Sequence, residues 1–121
     1  MKIMQGDIYL VELGTPKGSE PGYRHPHVVI QNNVFNASRI NTVVVCALAT
    51  NLRRSQAPGN VTLDKGEANL AKKSVVNISQ ILTIDKAVLK NKIGSLSSKK
   101  TNKIIEGIKL LFEPFPDPRS V

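Results

Sequence analysis

The 121-residue chain has one cysteine, no tryptophan and only five other aromatic residues. A lone Cys46 excludes an internal disulfide, and a cytoplasmic setting is the default expectation. It lies between Val45 and Ala47 in an apolar run, the setting of a small buried hydrophobe rather than a reactive thiol. Five rings (Tyr9, Tyr23, Phe35, Phe112, Phe115) are too few for an extended base-stacking platform. The longest apolar run, Val43 to Ala49, is far too short to span a bilayer, so no membrane association is expected. The start, MKIMQGDIYLVEL, has no apolar h-region and no cleavage pattern, and no signal peptide is expected. Acidic residues are also scarce. Nine Asp and Glu against 17 Lys and Arg give a net charge of +8, which predicts attraction to a polyanion such as RNA or an acidic protein.

What is present reads as a single domain over residues 1–121, with an irregular tail from about residue 113. DIYLVEL (Asp7 to Leu13) has strand composition. Gly14 to Pro26 holds three prolines and three glycines and predicts a long loop, a length that often marks function. Val28 to Gln31 continues as a strand, and NNVFNASRIN as a polar connection. Thr42 to Thr50, TVVVCALAT, predicts a strand buried on both faces. NLRRSQAPGN follows as a second loop, then NVTL and SVVNISQILTI as strands. DKAVLKNKI is read as a short helix capped by Asp85.

From Ser97 the period becomes helical. Ile104, Ile105, Ile108, Leu111 and Phe112 share a face, Ser97 or Ser98 caps the start, and Pro114 ends the helix. Strands first and a helix last predict an α+β fold: a curved antiparallel sheet or small barrel closed by a C-terminal helix.

The two loops carry Ser19, Glu20, Tyr23, Arg24, His25, Arg53 and Arg54, with His27 and Thr50 at the flanking strand ends. A zinc site needs three or four ligands, and this chain has only two histidines beside its buried cysteine, so no metal is expected. Ser19, His25 and Glu20 are the residue types of a hydrolase triad, but no G-x-S-x-G elbow accompanies them. RNA scission by the 2′-hydroxyl fits better. It needs a base, an acid and donors to the phosphoryl oxygens, and no protein nucleophile. Arginine donates in pairs to phosphate, histidine exchanges protons near neutrality, and a hydroxyl can orient a phosphate oxygen. Arg24, His25 and Thr50 supply that set. Each also has a plain structural reading: a solvated loop charge, a hydrogen-bonded strand residue and a strand end.

GDIYLVEL, GSEPGYRHPHVVIQN, VVVCALAT, PGNVTL, SVVNISQILTIDK and the final helix, in that order from Gln5 to about Phe112, resemble the MazF/PemK family of type II toxin–antitoxin toxins. The resemblance implies a small SH3-like antiparallel β-barrel with a C-terminal helix, the CcdB/MazF plasmid-maintenance toxin fold, and a homodimer. It implies an mRNA interferase: a metal-independent, cofactor-free endoribonuclease that cuts single-stranded RNA at short sequences and leaves 2′,3′-cyclic phosphate and 5′-hydroxyl ends. It also implies a cognate antitoxin with an acidic, disordered segment. His25 takes the position of the family's catalytic arginine before Pro26, with Arg24 one step earlier as a phosphate binder. Thr50 matches the catalytic threonine. Ser19, Glu20, Tyr23, His27, Arg53, Arg54 and Gln80 fall on segments that line the RNA path. The histidine substitution leaves a second expectation open, a non-catalytic RNA- or protein-binding module of the same fold, for example one directed at gyrase.

Overall fold

The computed structural model describes residues 2–13 and 24–115. Its six strands are β1 (Asp7–Glu12), β2 (Arg24–Val29), β3 (Thr42–Ala49), β4 (Val61–Leu63), β5 (Ser74–Asp85) and β6 (Asn91–Ser95). A four-residue helix, α1 (Asn33–Asn36), follows β2, and α2 (Ser98–Phe112) closes the described chain. The strands form one antiparallel sheet in the order β4-β5-β3-β2-β1-β6, curled into a half-barrel.

Period-two alternation divides the central strands between two cores. Ile8, Val28, Cys46, Leu48, Val76 and Ile78 pack with Leu63, Leu70 and Ile104 of α2. On the other face Tyr9, Val11, Val29, Val43 and Val45 pack with Ile3 and Leu89. Burial on both faces explains the near-continuous apolar run of β3.

β5 spans both halves of the sheet by way of a large bulge. Cys46 faces Ile81 while Leu48 faces Val76, so two steps along β3 oppose five along β5. Side chains satisfy the displaced backbone: the Cys46 thiol donates to the Asn77 carbonyl (3.0 Å), and Ile78 N–H donates to Asn60 Oδ1 (3.0 Å). Burial pushes the Cys46 thiol up to about 12, and the side chain is buried in the core.

The two sheet edges are joined by the connection between β4 and β5. Asn69 Nδ2 donates to the Ile93 carbonyl of β6 (3.1 Å), and Gly94 lies flat against the Ala68 carbonyl, with no room for a side chain between them. Ala68 and Asn69 hold positive φ (49° and 61°) to make this approach.

Ser97 caps α2, its hydroxyl accepting from Lys100 N–H (3.2 Å). The helix crosses the loop after β3 at a glycine pair, with the Gly59 carbonyl occupying the space a Cβ on Gly107 would need. Alanine there gains about 1 kcal/mol of helix propensity but must push backbone away, typically at 1–3 kcal/mol. Gly107→Ala is therefore expected to lower stability by up to about 2 kcal/mol in urea denaturation, the reverse of an exposed helical Gly→Ala.

Several expectations change. β2 begins at Arg24 and ends at Val29 rather than running from Val28 to Gln31. Pro26 is tolerated because the ladder to β3 starts only at His27. The polar connection after β2 contains α1, its first turn capped by Asn32 Oδ1, which accepts from Val34 N–H (2.8 Å). The short helix expected at Asp85 is a single 3₁₀ turn, Lys86–Val88, capped by Asp85 as expected, and its remainder is β6. At the end of α2, Leu111 and Phe112 are 42% and 70% exposed rather than part of the core. No helix among the described residues is long and apolar enough to cross a membrane.

Candidate active site

Two strand ends build the site. β2 and β3 are antiparallel with His27 opposite Ala47, so the beginning of β2 and the end of β3 lie at the same end of the sheet. That register brings His25, on β2, and Thr50, just past β3, to one end of the molecule. His25 is half-buried and Thr50 exposed.

Alternation along β2 separates the two candidate cations. His25 and His27 share the face of their β1 partners Val11 and Tyr9, while Arg24 belongs to the opposite face. Arg24 is exposed and lines a groove of about 510 Å³ with Leu10, Glu12, Lys90 and Asn91. The structure therefore does not bring Arg24 and His25 together as a pair acting on one atom.

His27 is fully buried (0% exposed), which corrects the expectation that it contacts RNA. Its Nδ1 lies 2.9 Å from the His25 carbonyl, an acceptor only, so Nδ1 carries the proton and donates. The two imidazoles meet edge to face, their centroids 6.2 Å apart. Burial lowers the His27 pKa to about 4; the backbone hydrogen bond opposes this and the charge of His25 adds to it. Among the described residues its Nε2 has no partner, and neither has the buried hydroxyl of Tyr9 opposite. Tyr9 was not singled out in the sequence, although pairing DIYLVEL with the HPHVV segment would have set it beside His27.

The loop after Thr50 forms a 3₁₀ turn, Leu52–Gln56, started by Asn51 Oδ1 accepting from Arg53 N–H (3.2 Å). Arg53 and Arg54 on this turn are exposed. Among the described residues neither they nor Arg24 form an ion pair, so three guanidinium groups at or beside this end are available to phosphates. The loop is tied down at its far end, where Asn60 Nδ2 donates to the Arg54 carbonyl (2.8 Å). Gln80 is half-buried in the bulge of β5. Ser19, Glu20 and Tyr23 lie outside the described residues.

A half-barrel with a capping helix, carrying a histidine, a threonine and arginines at or beside one end of its sheet, defines a small basic α+β domain. The sequence pattern of the PemK-like, MazF-like toxins of type II toxin–antitoxin systems matches residues 4–112, and the chain belongs to that family. It is 34% identical over 113 residues to endoribonuclease MazF6 of Mycobacterium tuberculosis, covering 93% of this chain and 99% of the relative. It is 38% identical over 104 residues to endoribonuclease MazF of Staphylococcus saprophyticus, covering 86% of each. In fold it resembles a mycobacterial endoribonuclease solved in complex with its cognate antitoxin, with a TM-score of 0.75 at 24% identity, covering 94% of this chain and 99% of that one. It also resembles MazF of Deinococcus radiodurans, with a TM-score of 0.72 at 17% identity, covering 92% and 96%.

Proposed function

We propose that this chain is the toxin of a type II toxin–antitoxin system and a sequence-selective endoribonuclease acting on single-stranded messenger RNA in the cytoplasm. The reading rests on the family match across residues 4–112, in a chain whose His25 and Thr50 share one end of the sheet. The chemistry is attack of the 2′-hydroxyl on the adjacent phosphorus, with loss of the 5′-oxygen and formation of a 2′,3′-cyclic phosphate. His25 moves the proton, Thr50 orients a phosphoryl oxygen, and no metal is needed because the nucleophile belongs to the substrate. Arg24, on the other face of β2, holds a neighbouring phosphate rather than the reacting one. Arg53 and Arg54 hold the strand on the other side, with Ser19, Glu20, Tyr23 and Gln80 along the RNA path.

The net charge of +8 suits an acidic antitoxin segment competing for the same surface, and the working form is a homodimer. Purified protein incubated with a long single-stranded RNA in excess EDTA is expected to cut at a recurring short sequence, leaving cyclic phosphate and 5′-hydroxyl ends. The histidine at the family's arginine position favours a second reading, a non-catalytic binding module. Folded dimer that binds RNA but leaves it intact across many sequences would establish that reading instead.

A further inference from the structure

We infer that His27, backed by Tyr9, is a positioning residue for the ribonuclease reaction: from beneath the sheet surface it fixes the backbone and ring of His25. The inference rests on the reading of His25 as the proton-transfer group, and it concerns two side chains that substrate cannot reach.

The geometry is specific. A strand residue does not ordinarily spend its side chain on the carbonyl two residues back, yet His27 Nδ1 donates to the His25 carbonyl at 2.9 Å. That carbonyl belongs to the peptide linking His25 to Pro26, which follows the described start of the strand by a single residue. β2 there is paired with β1 alone, because the ladder to β3 begins at His27. The internal hydrogen bond supplies some of the restraint that a second neighbouring strand would otherwise give. The edge-to-face contact of the two imidazoles, at 6.2 Å, adds a side wall to the His25 ring.

The state of His27 is fixed by the same contacts. With its proton committed at Nδ1, its Nε2 is a bare acceptor, and that atom is buried without a partner among the described residues. Its direct cross-strand neighbour Tyr9 buries a hydroxyl that likewise lacks one. A donor and an acceptor left over on paired residues of one face are complementary, and buried polar groups cost stability unless matched. The two groups make no direct hydrogen bond; in the arrangement inferred here one bridging water links the Tyr9 hydroxyl to Nε2 and holds the Nδ1–H tautomer. Burial keeps this imidazole neutral through the physiological range, so it places no positive charge beside the His25 ring.

Three variants of the full chain test this. Asparagine carries an amide donor near the position of Nδ1, while phenylalanine keeps the ring and removes both nitrogens. His27→Phe is expected to lower kcat on a single-stranded RNA oligonucleotide by about 10–100-fold with little change in KM, the usual scale for losing an outer orienting contact. His27→Asn is expected to recover most of that loss, and Tyr9→Phe to lower kcat by less than His27→Phe. The readout independent of RNA is the imidazole NMR spectrum, where the His25 ring signals and titration should shift in His27→Phe and return in His27→Asn. Folded His27→Phe with unaltered kcat and unaltered His25 signals would overturn the inference, as would His27→Asn as impaired as His27→Phe. Undiminished cleavage by His25→Ala would instead overturn the site reading beneath it. In that case a shifted His25 spectrum in His27→Phe would still show the positioning contact.

Discussion

His25→Ala is expected to reduce RNA cleavage by about 100–10,000-fold, the range spanned by loss of a positioned acid–base group. The side chain is half-buried at the start of β2, opposite Val11, and only its ring is lost, so the sheet register is untouched. The variant should therefore match the parent in circular dichroism and in urea midpoint to within about 1 kcal/mol. Thr50→Ala removes one donor to the phosphate and is expected to cost about 100-fold or more in kcat, again with the fold intact. Thr50 is exposed beyond the last pair of β3, and among the described residues its hydroxyl makes no hydrogen bond. Arg24→Ala, on the groove side of the strand, should act differently, raising KM and flattening the salt dependence while sparing kcat. Single-turnover kinetics on one RNA oligonucleotide separates the three. Full activity in both His25→Ala and Thr50→Ala would remove the catalytic site from this end of the sheet.

The second large effect concerns stability and pH. In the folded chain His27 has a pKa near 4, well below the ordinary histidine value of 6.5, chiefly because it is buried. Between these values the unfolded chain binds a proton at this site and the folded chain does not. Stability is therefore complete above the ordinary value and is lost as pH falls from about 6.5 through 4. The full loss is about 3 kcal/mol, a large share of a typical domain stability of about 5–15 kcal/mol. Tyr9, opposite His27, stays neutral throughout, its pKa raised by burial and then by Asp7. The measurement is a difference between two chains that share every other titrating group. Urea denaturation at pH 7 and pH 4.5 should show a much steeper fall for the parent chain than for His27→Phe. Equal falls in the two would mean that His27 ionises in the folded state as easily as in the unfolded one.

Strands β1 and β3 and helix α2 could be read from composition and period alone. TVVVCALA is apolar on both faces, and Ile104 and Ile108 recur at helical spacing. β6 escaped because NKIGS has no alternation and a single branched residue, Ile93, and its pairing with β1 decides its conformation. The bulge of β5 is equally silent, since an extra residue in a strand shows only against its partner. In α2, period places Leu111 and Phe112 on the same stripe as Ile104, but period cannot report where the sheet beneath the helix stops.

The site divides in the same way. His25, Thr50, Arg53 and Arg54 were legible as chemistry-bearing residues at strand ends and on a loop. The depth of His27 was not, because alternation pairs it with His25 on one face and only the packing of Tyr9 and its neighbours shows that this part of the face is closed. The separation of Arg24 from His25 does follow from strand alternation, once β2 is known to begin at Arg24.

The loop carrying Arg53 and Arg54 is fastened at its far end by groups that take no part in its outer surface. Asn60 bridges the Arg54 carbonyl and the Ile78 amide, and Gly59 is pinned under Gly107. The outward residues between Leu52 and Gln56 can therefore be exchanged as a cassette without disturbing these fastenings. If this loop lies on the RNA path as proposed, a lineage keeping Gly59, Asn60 and Gly107 could revise which RNA it prefers while inheriting an unaltered scaffold, with target choice and folding stability carried by separate residues.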